Sequence, residues 1–168
     1  MAARLAALSA AALLCVVAGC GQRPIIDYEP APTTGTLPGK FYGECGRVSV
    51  AEIRDITGLD EVEPLLRNAS HCEWSSTGRA TYVMFLWYRS SPFERERLGT
   101  EFGGHEVRDA TIAGRRGYIA YEGHRDCVAA VPDGADFFLW YVLNRDEATA
   151  GLCDKAIRLG ELTMSRAT

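Results

Sequence analysis

Residues 80–89 read ATYVMFLWYR, a run in which side-chain character follows a period of two rather than the 3.6 of a helix. Tyr82, Met84, Leu86 and Tyr88 fall on one side, and Val83, Phe85, Trp87 and Arg89 on the other. Both rows are apolar or aromatic. A strand of this kind needs cover on both faces, or cover on one face and a binding surface on the other. The chain must therefore build a sheet around it.

The neighbouring segments supply that sheet. HCEWSST precedes the run across Gly78-Arg79, a hairpin signal. Farther on, HEVRDATIAG, RRGYIAYEG, DCVAAVP and ADFFLWYVL are four strand-like runs divided by glycine-containing turns such as Pro132-Asp133-Gly134. Loops this short join antiparallel strands. Ser49-Val50-Ala51-Glu52 is a capping box that opens a helix over 50–57, with Ile53 and Ile56 on its apolar side and Gly58 to close it. Ser91 as cap and Pro92 at the first helical position predict a short exposed helix. Residues 147–163 place Ala148, Leu152, Ala156 and Leu159 on one helical stripe. The order predicts an α+β fold, an antiparallel sheet of about five or six strands with two longer helices packed on it. The tetrapeptide FLWY occurs at 85–88 and 138–141 without matching flanks. It reads as two core strands with similar needs, and as a functional alternative Trp87 and Trp140 would line an aromatic pocket or groove.

The N-terminus carries a different signal. Arg4 is followed by an apolar run from Leu5 to Ala18, broken only by Ser9. Crossing a hydrocarbon core of about 30 Å takes roughly 20 helical residues, so this shorter run is read as the core of a secretory signal. Val17-Ala18-Gly19-Cys20 at its end resembles the lipobox of bacterial lipoproteins, which implies acylation of the Cys20 thiol and cleavage just before it. Small side chains at the cut and a single thiol nucleophile are what that chemistry requires. The expected organisation is a signal peptide over 1–19, a tether over 20–40 and one globular domain over 41–168. Pro24, Pro30, Pro32 and Pro38, with Gly35 and Gly39, block helix and central strand in the tether. Thr33, Thr34 and Thr36 within it read as solvated linker residues, with glycosylation as the alternative.

Removing the signal clarifies the cysteines. Cys15 leaves with it and Cys20 is acylated, so Cys45, Cys72, Cys127 and Cys153 remain. An even number in an exported chain reads as two disulfides with three possible pairings. Locality favours Cys45 with Cys72 and Cys127 with Cys153. The lipobox, the Pro/Thr spacer, Cys45 before a capped helix, CEW at 72–74, ATIAGRRGYIAY leading to Cys127, and GLCDKA before the last helix together resemble an actinobacterial lipoprotein family of unknown function that includes mycobacterial LprB and LprC. The resemblance implies an envelope lipoprotein with a two-disulfide domain. It brings no established catalytic residues.

Charge and motif content narrow the function classes. Eighteen Lys and Arg stand against 22 Asp and Glu, and losing Arg4 takes the mature balance to 17 minus 22, or −5. No basic stripe for nucleic acid is visible, and net charge gives no pull toward anionic lipid, so the tether alone is expected to hold the body near the membrane. His71, His105 and His124 lack metal-ligand spacing, and disulfide-bonded cysteines cannot ligate, so no metal and no cofactor are expected. No serine sits in a nucleophile elbow and no cysteine is left free. Arg115 and Arg116 in GRRG offer a second candidate ligand surface, for a phosphate or a lipid headgroup, ranked below a polar hairpin turn. The leading expectation is a non-catalytic domain, lipid-anchored on the outer face of the cytoplasmic membrane, that binds an envelope protein or an apolar small molecule. The alternative is an envelope hydrolase with an unrecognised set of His, Asp and Ser.

Overall fold

A computed structural model describes residues 37–59, 62–76, 81–123, 125–145 and 149–168. The proposed signal, Cys20, most of the tether, the Gly78-Arg79 turn, His124 and Ala148 lie outside the described residues.

The capping box at Ser49 forms as its sequence dictates. Glu52 N–H donates to Ser49 Oγ at 3.3 Å and Ser49 N–H donates to Glu52 Oε2 at 3.0 Å, which starts helix α1 at Val50–Thr57. Gly58 ends it in the left-handed region at φ 69°, where a side chain would be strained. A 3-10 turn at Glu44–Arg47 precedes it. Strands β1 (Glu63–Arg67), β2 (His71–Ser75) and β3 (Thr81–Tyr88) follow, then helix α2 (Phe93–Phe102), strands β4 (Glu106–Ile112), β5 (Arg115–Tyr121), β6 (Asp126–Asp133) and β7 (Asp136–Asn144), and helix α3 (Thr149–Arg166). The strands form one sheet in the order β1-β2-β3-β7-β6-β5-β4, every neighbouring pair antiparallel.

The α+β class stands, with two corrections. The sheet has seven strands rather than five or six: β1, with sequence EPLLR, is exposed along its whole length. An edge strand buried on neither face has no reason to alternate, so its sequence carries no period-two signal. Nor are there two longer helices. Only α3, at 18 residues, is long, and α1 is shorter than α2. Helix α2 also begins one residue later than expected. Pro92 occupies its N-cap, and Ser91 Oγ accepts from Arg95 instead of capping.

One face of the sheet holds the core. Trp74, Val83, Phe85, Trp87, Phe138, Trp140 and Val142 lie there beneath Ile53 of α1 and Leu152, Ala156 and Leu159 of α3, all buried. Cys45 is bonded to Cys72 and Cys127 to Cys153, closing separations of 27 and 26 residues. The first bond pins the 3-10 turn to β2 and the second pins α3 to β6.

The two covering helices are also joined by charge. The Arg166 guanidinium beside Glu52, together with the Ser49 cap, holds the Glu52 carboxyl down to about 2 from its ordinary 4.5. A carboxyl depressed in the fold stabilises it above its unfolded value and loses that contribution as pH falls toward the folded one. Both side chains are about one-third exposed, so solvent screening limits the pair to about 1 kcal/mol. Arg166→Ala is expected to lower the unfolding free energy from urea titration by that amount at neutral pH, the difference shrinking as pH falls below about 4 and vanishing only below about pH 2, once Glu52 is protonated in both.

Candidate functional site

The second face of the sheet is apolar as well, and it is only partly covered. Tyr118, Ala120, Ala130 and Leu139 are buried there, with Met84, Leu86, Tyr88, Val128 and Tyr141 half-buried around them. This is the Met84, Leu86 and Tyr88 row of β3. Its only helical cover among the described residues is α2, whose side chains are all at least partly exposed. Phe93 seats that helix, its ring 5.3 Å from Tyr118 and 5.5 Å from Phe137 between centroids. Arg97 holds the next turn through an ion pair of 2.5 Å with Asp109 of β4.

Between α2 and the uncovered strands runs a groove of about 320 Å³. Met84, Leu86, Tyr88, Val128 and Leu139 form its floor, and Glu96, Gly99, Thr100, Gly103 and His105 its wall. Gly99 and Gly103 stand four apart, one helical turn, on the wall side. A Cβ built on Gly99 meets nothing within 4 Å, so the helix leaves open space there, whereas one on Gly103, the residue that caps the helix, would meet the Thr100 carbonyl at 3.3 Å and His105 Nδ1 at 3.5 Å.

The polar groups sit at the rim. Burial pushes the Tyr88 hydroxyl up, and the Glu96 carboxylate adds to the effect. Burial likewise raises Tyr118, which lies 3.5 Å from Thr100 Oγ1. Thr100 Oγ1 donates to the Glu96 carbonyl at 2.9 Å. His105 Nδ1 is enclosed without a protein partner among the described residues. Close to that end, burial raises the Asp126 carboxyl, and Tyr141 is pushed up to about 12 by burial and by the charge of Asp126. The arrangement suits a ligand with an apolar body and one polar end.

The residues singled out from sequence fall elsewhere. Trp87 and Trp140 were candidates for the ligand surface, but both point into the helix-covered core, at 7% and 0% exposure. Trp140 stacks on Trp74 at 5.7 Å, packs on Phe85 at 5.1 Å and donates its indole N–H to Thr163 Oγ1 at 2.9 Å. The reason is the period of two itself: Trp87 shares its row with Val83 and Phe85, and α3 covers that row. Arg115 is taken up by an ion pair of 2.6 Å with the buried Asp133 carboxylate, which also accepts from the Tyr42 hydroxyl at 2.7 Å. Arg116 lines a separate polar cleft of about 250 Å³ with Phe93, Glu94, Arg97, Asp109 and Gly117. His71 pairs with Glu73 at 2.6 Å. Among the described residues no three His, Cys, Asp or Glu side chains converge on a metal position, and no helix is long and apolar enough to cross a membrane.

The groove residues that sequence reasoning missed are those of α2. The signal was Gly99 inside a short helix rich in charge, with Gly103 capping its end.

A family model described as "Protein of unknown function (DUF3558)" matches residues 15–166. The protein named "Putative lipoprotein LprB" of Mycobacterium bovis is 30% identical over 169 residues, covering 92% of this chain and 90% of the relative. The protein of the same name in Mycobacterium tuberculosis strain H37Rv is 30% identical with the same coverage. That of Mycobacterium leprae is 30% identical over 140 residues, 76% of this chain and 74% of the relative. No solved structure gives a significant match. The chain thus belongs to the DUF3558 family of proteins of unknown function, among relatives that include the LprB-type lipoproteins of mycobacteria.

Proposed function

We propose that this protein is a lipid-anchored component of the cell envelope that binds an apolar small molecule in the groove beneath α2. Acylation at Cys20 holds it on the outer face of the cytoplasmic membrane, the segment over 20–40 serves as tether, and the body from 41 onward does the binding without catalysing a reaction. The lipobox and the names of the relatives support the anchor. One observation carries the binding reading: an antiparallel sheet with a continuous apolar second face is left half-open by a helix that has a glycine with open space around it, Gly99, in the wall of the groove.

Physical scale agrees with it. A volume of 320 Å³ falls within the range of about 300–1,000 Å³ usual for small-ligand sites. Met84 on the floor supplies an unbranched, polarisable side chain that can refit around different apolar shapes. Thr100 and His105 on the wall can orient a hydroxyl, carboxyl or amide of the ligand, and the Tyr88 hydroxyl stands toward the other end of the groove.

The test is a titration with a fluorescent polyene fatty acid. Gly99→Trp places an indole in the open space over the floor and is expected to weaken binding at least about tenfold, a loss of about 1.4 kcal/mol. Trp87→Phe, on the opposite face, is expected to leave it unchanged. Equal binding by wild type and Gly99→Trp would overturn the proposal.

A further inference from the structure

The end of the body from which the tether leaves is chemically unlike the other end. The Leu37 carbonyl accepts from Ala135 N–H at 3.0 Å, and a Cβ on Gly134 would come within 2.4 Å of the same oxygen. Lys40 N–H donates to Asp133 Oδ2 at 2.7 Å. The chain is therefore clamped along the β6–β7 turn before it enters the domain. Strand register brings three further points to this end: Asp133 pairs with Asp136, Ile112 with Arg115, and Tyr88 with Phe137. The β4–β5 turn, the end of β3 and the tether junction thus share one rim of the sheet.

Lys40, Arg89 and Arg116 lie on that rim, all exposed and none in an ion pair among the described residues. Arg89 lies over the Trp87 ring at 5.1 Å. Of the buried acids of the rim, Asp133 is satisfied by Tyr42, Arg115 and the Lys40 amide, while Asp136 accepts from Ser90 N–H on Oδ1 at 2.9 Å and keeps its Oδ2 buried without a protein partner among the described residues. Glu94 and Asp109 are the exposed acids of the polar cleft beside Arg116, and Asp109 is paired with Arg97 at 2.5 Å. Leu37 is 79% exposed and Phe41 is 53% exposed at the same place. The opposite end mixes signs, with Glu101, Glu106 and Glu122 near Arg108 and Arg125.

We propose that this rim is a membrane-docking face, in which Lys40, Arg89 and Arg116 contact anionic phospholipid headgroups and Leu37 enters the interface beside them. The proposal rests on the anchored reading given above. Cys20 and Leu37 are 37 − 20 = 17 residues apart, a chain that reaches at most roughly 60 Å, so an acylated Cys20 keeps this rim within reach of the bilayer. Net charge concealed the feature, because a balance of −5 says nothing of where the cations stand. Each basic side chain near an anionic surface contributes enough for three to shift occupancy by a factor of roughly 100.

The experiment uses the full chain purified from membranes, its acylation read by intact mass, and reconstituted into phosphatidylcholine vesicles with or without phosphatidylglycerol. A photo-crosslinking amino acid replaces Leu37 in one variant and Phe102, which is 97% exposed on α2, in another. Lipid adducts at position 37 are expected to rise at least about tenfold when phosphatidylglycerol is present, and to fall back in K40E/R89E/R116E or at high salt. Adducts at 37 that ignore lipid charge and the triple reversal, or adducts concentrated at 102, overturn the docking face while leaving the anchor intact. A mass without the lipid would overturn the anchor. The dependence on phosphatidylglycerol would then still decide the docking face.

Discussion

Replacing Trp140 by alanine is expected to destabilise the body by about 4 kcal/mol while leaving ligand binding in the groove unchanged. The ring is fully buried, stacked on Trp74 and packed on Phe85, and its N–H is held by Thr163 of α3. Truncation removes that apolar surface and leaves a cavity that a sheet pinned by α3 cannot close. For a domain of this size the melting temperature should fall by about 15 °C. The fluorescent fatty acid should bind the folded variant as before, since the groove lies across the sheet. A variant with lost binding and unchanged melting would return Trp140 to the ligand surface and contradict the assignment of the two faces.

Removing both disulfides is expected to leave the chain without a cooperative fold. Each bond closes a loop of 26 or 27 residues, worth about 3.5 kcal/mol on the chain-entropy account. Together they approach about 7 kcal/mol, against a usual total of about 5–15 kcal/mol for a domain. The bonds also sit where cover meets sheet, so α3 loses its covalent tie to β6 and the 3-10 turn its tie to β2. Urea unfolding followed by far-ultraviolet circular dichroism should show a sharp transition for the oxidised protein and a broad or absent one after reduction. An unchanged midpoint on reduction would mean that sheet and helices hold together without the cross-links.

Much of this architecture could be read from local rules. The capping box and Gly58 gave α1 its bounds because the groups that start and stop a helix are adjacent in sequence. The alternation of 81–88 identified a central strand and separated its two rows. Which row would be covered could not be read, because that depends on where α1 and α3 land, and both pack on the Trp87 side through contacts distant in sequence. The aromatic content of that row supported two readings, core strands first and a binding surface as the alternative, and large rings under a long helix are core material. Strand β1 escaped notice for the opposite reason: exposed on both faces, Glu63–Arg67 has no burial to impose a pattern. The site itself was half legible. Its floor was in the Met84, Leu86 and Tyr88 row, but its wall depended on where a helix lands on the sheet and on the absence of a side chain at Gly99.

The central claim is that the half-open face under α2 is where a ligand sits, and methyl-resolved nuclear magnetic resonance tests it most directly. Adding the fluorescent fatty acid to protein with labelled Met, Leu and Val methyls should move the signals of Met84, Leu86, Val128 and Leu139 together. Those of Val83, Val142, Leu152 and Leu159, on the face under α3, should stay in place. Shifts confined to the α3 side or to the exposed Leu65 and Leu98, or no shifts at all, would contradict the account.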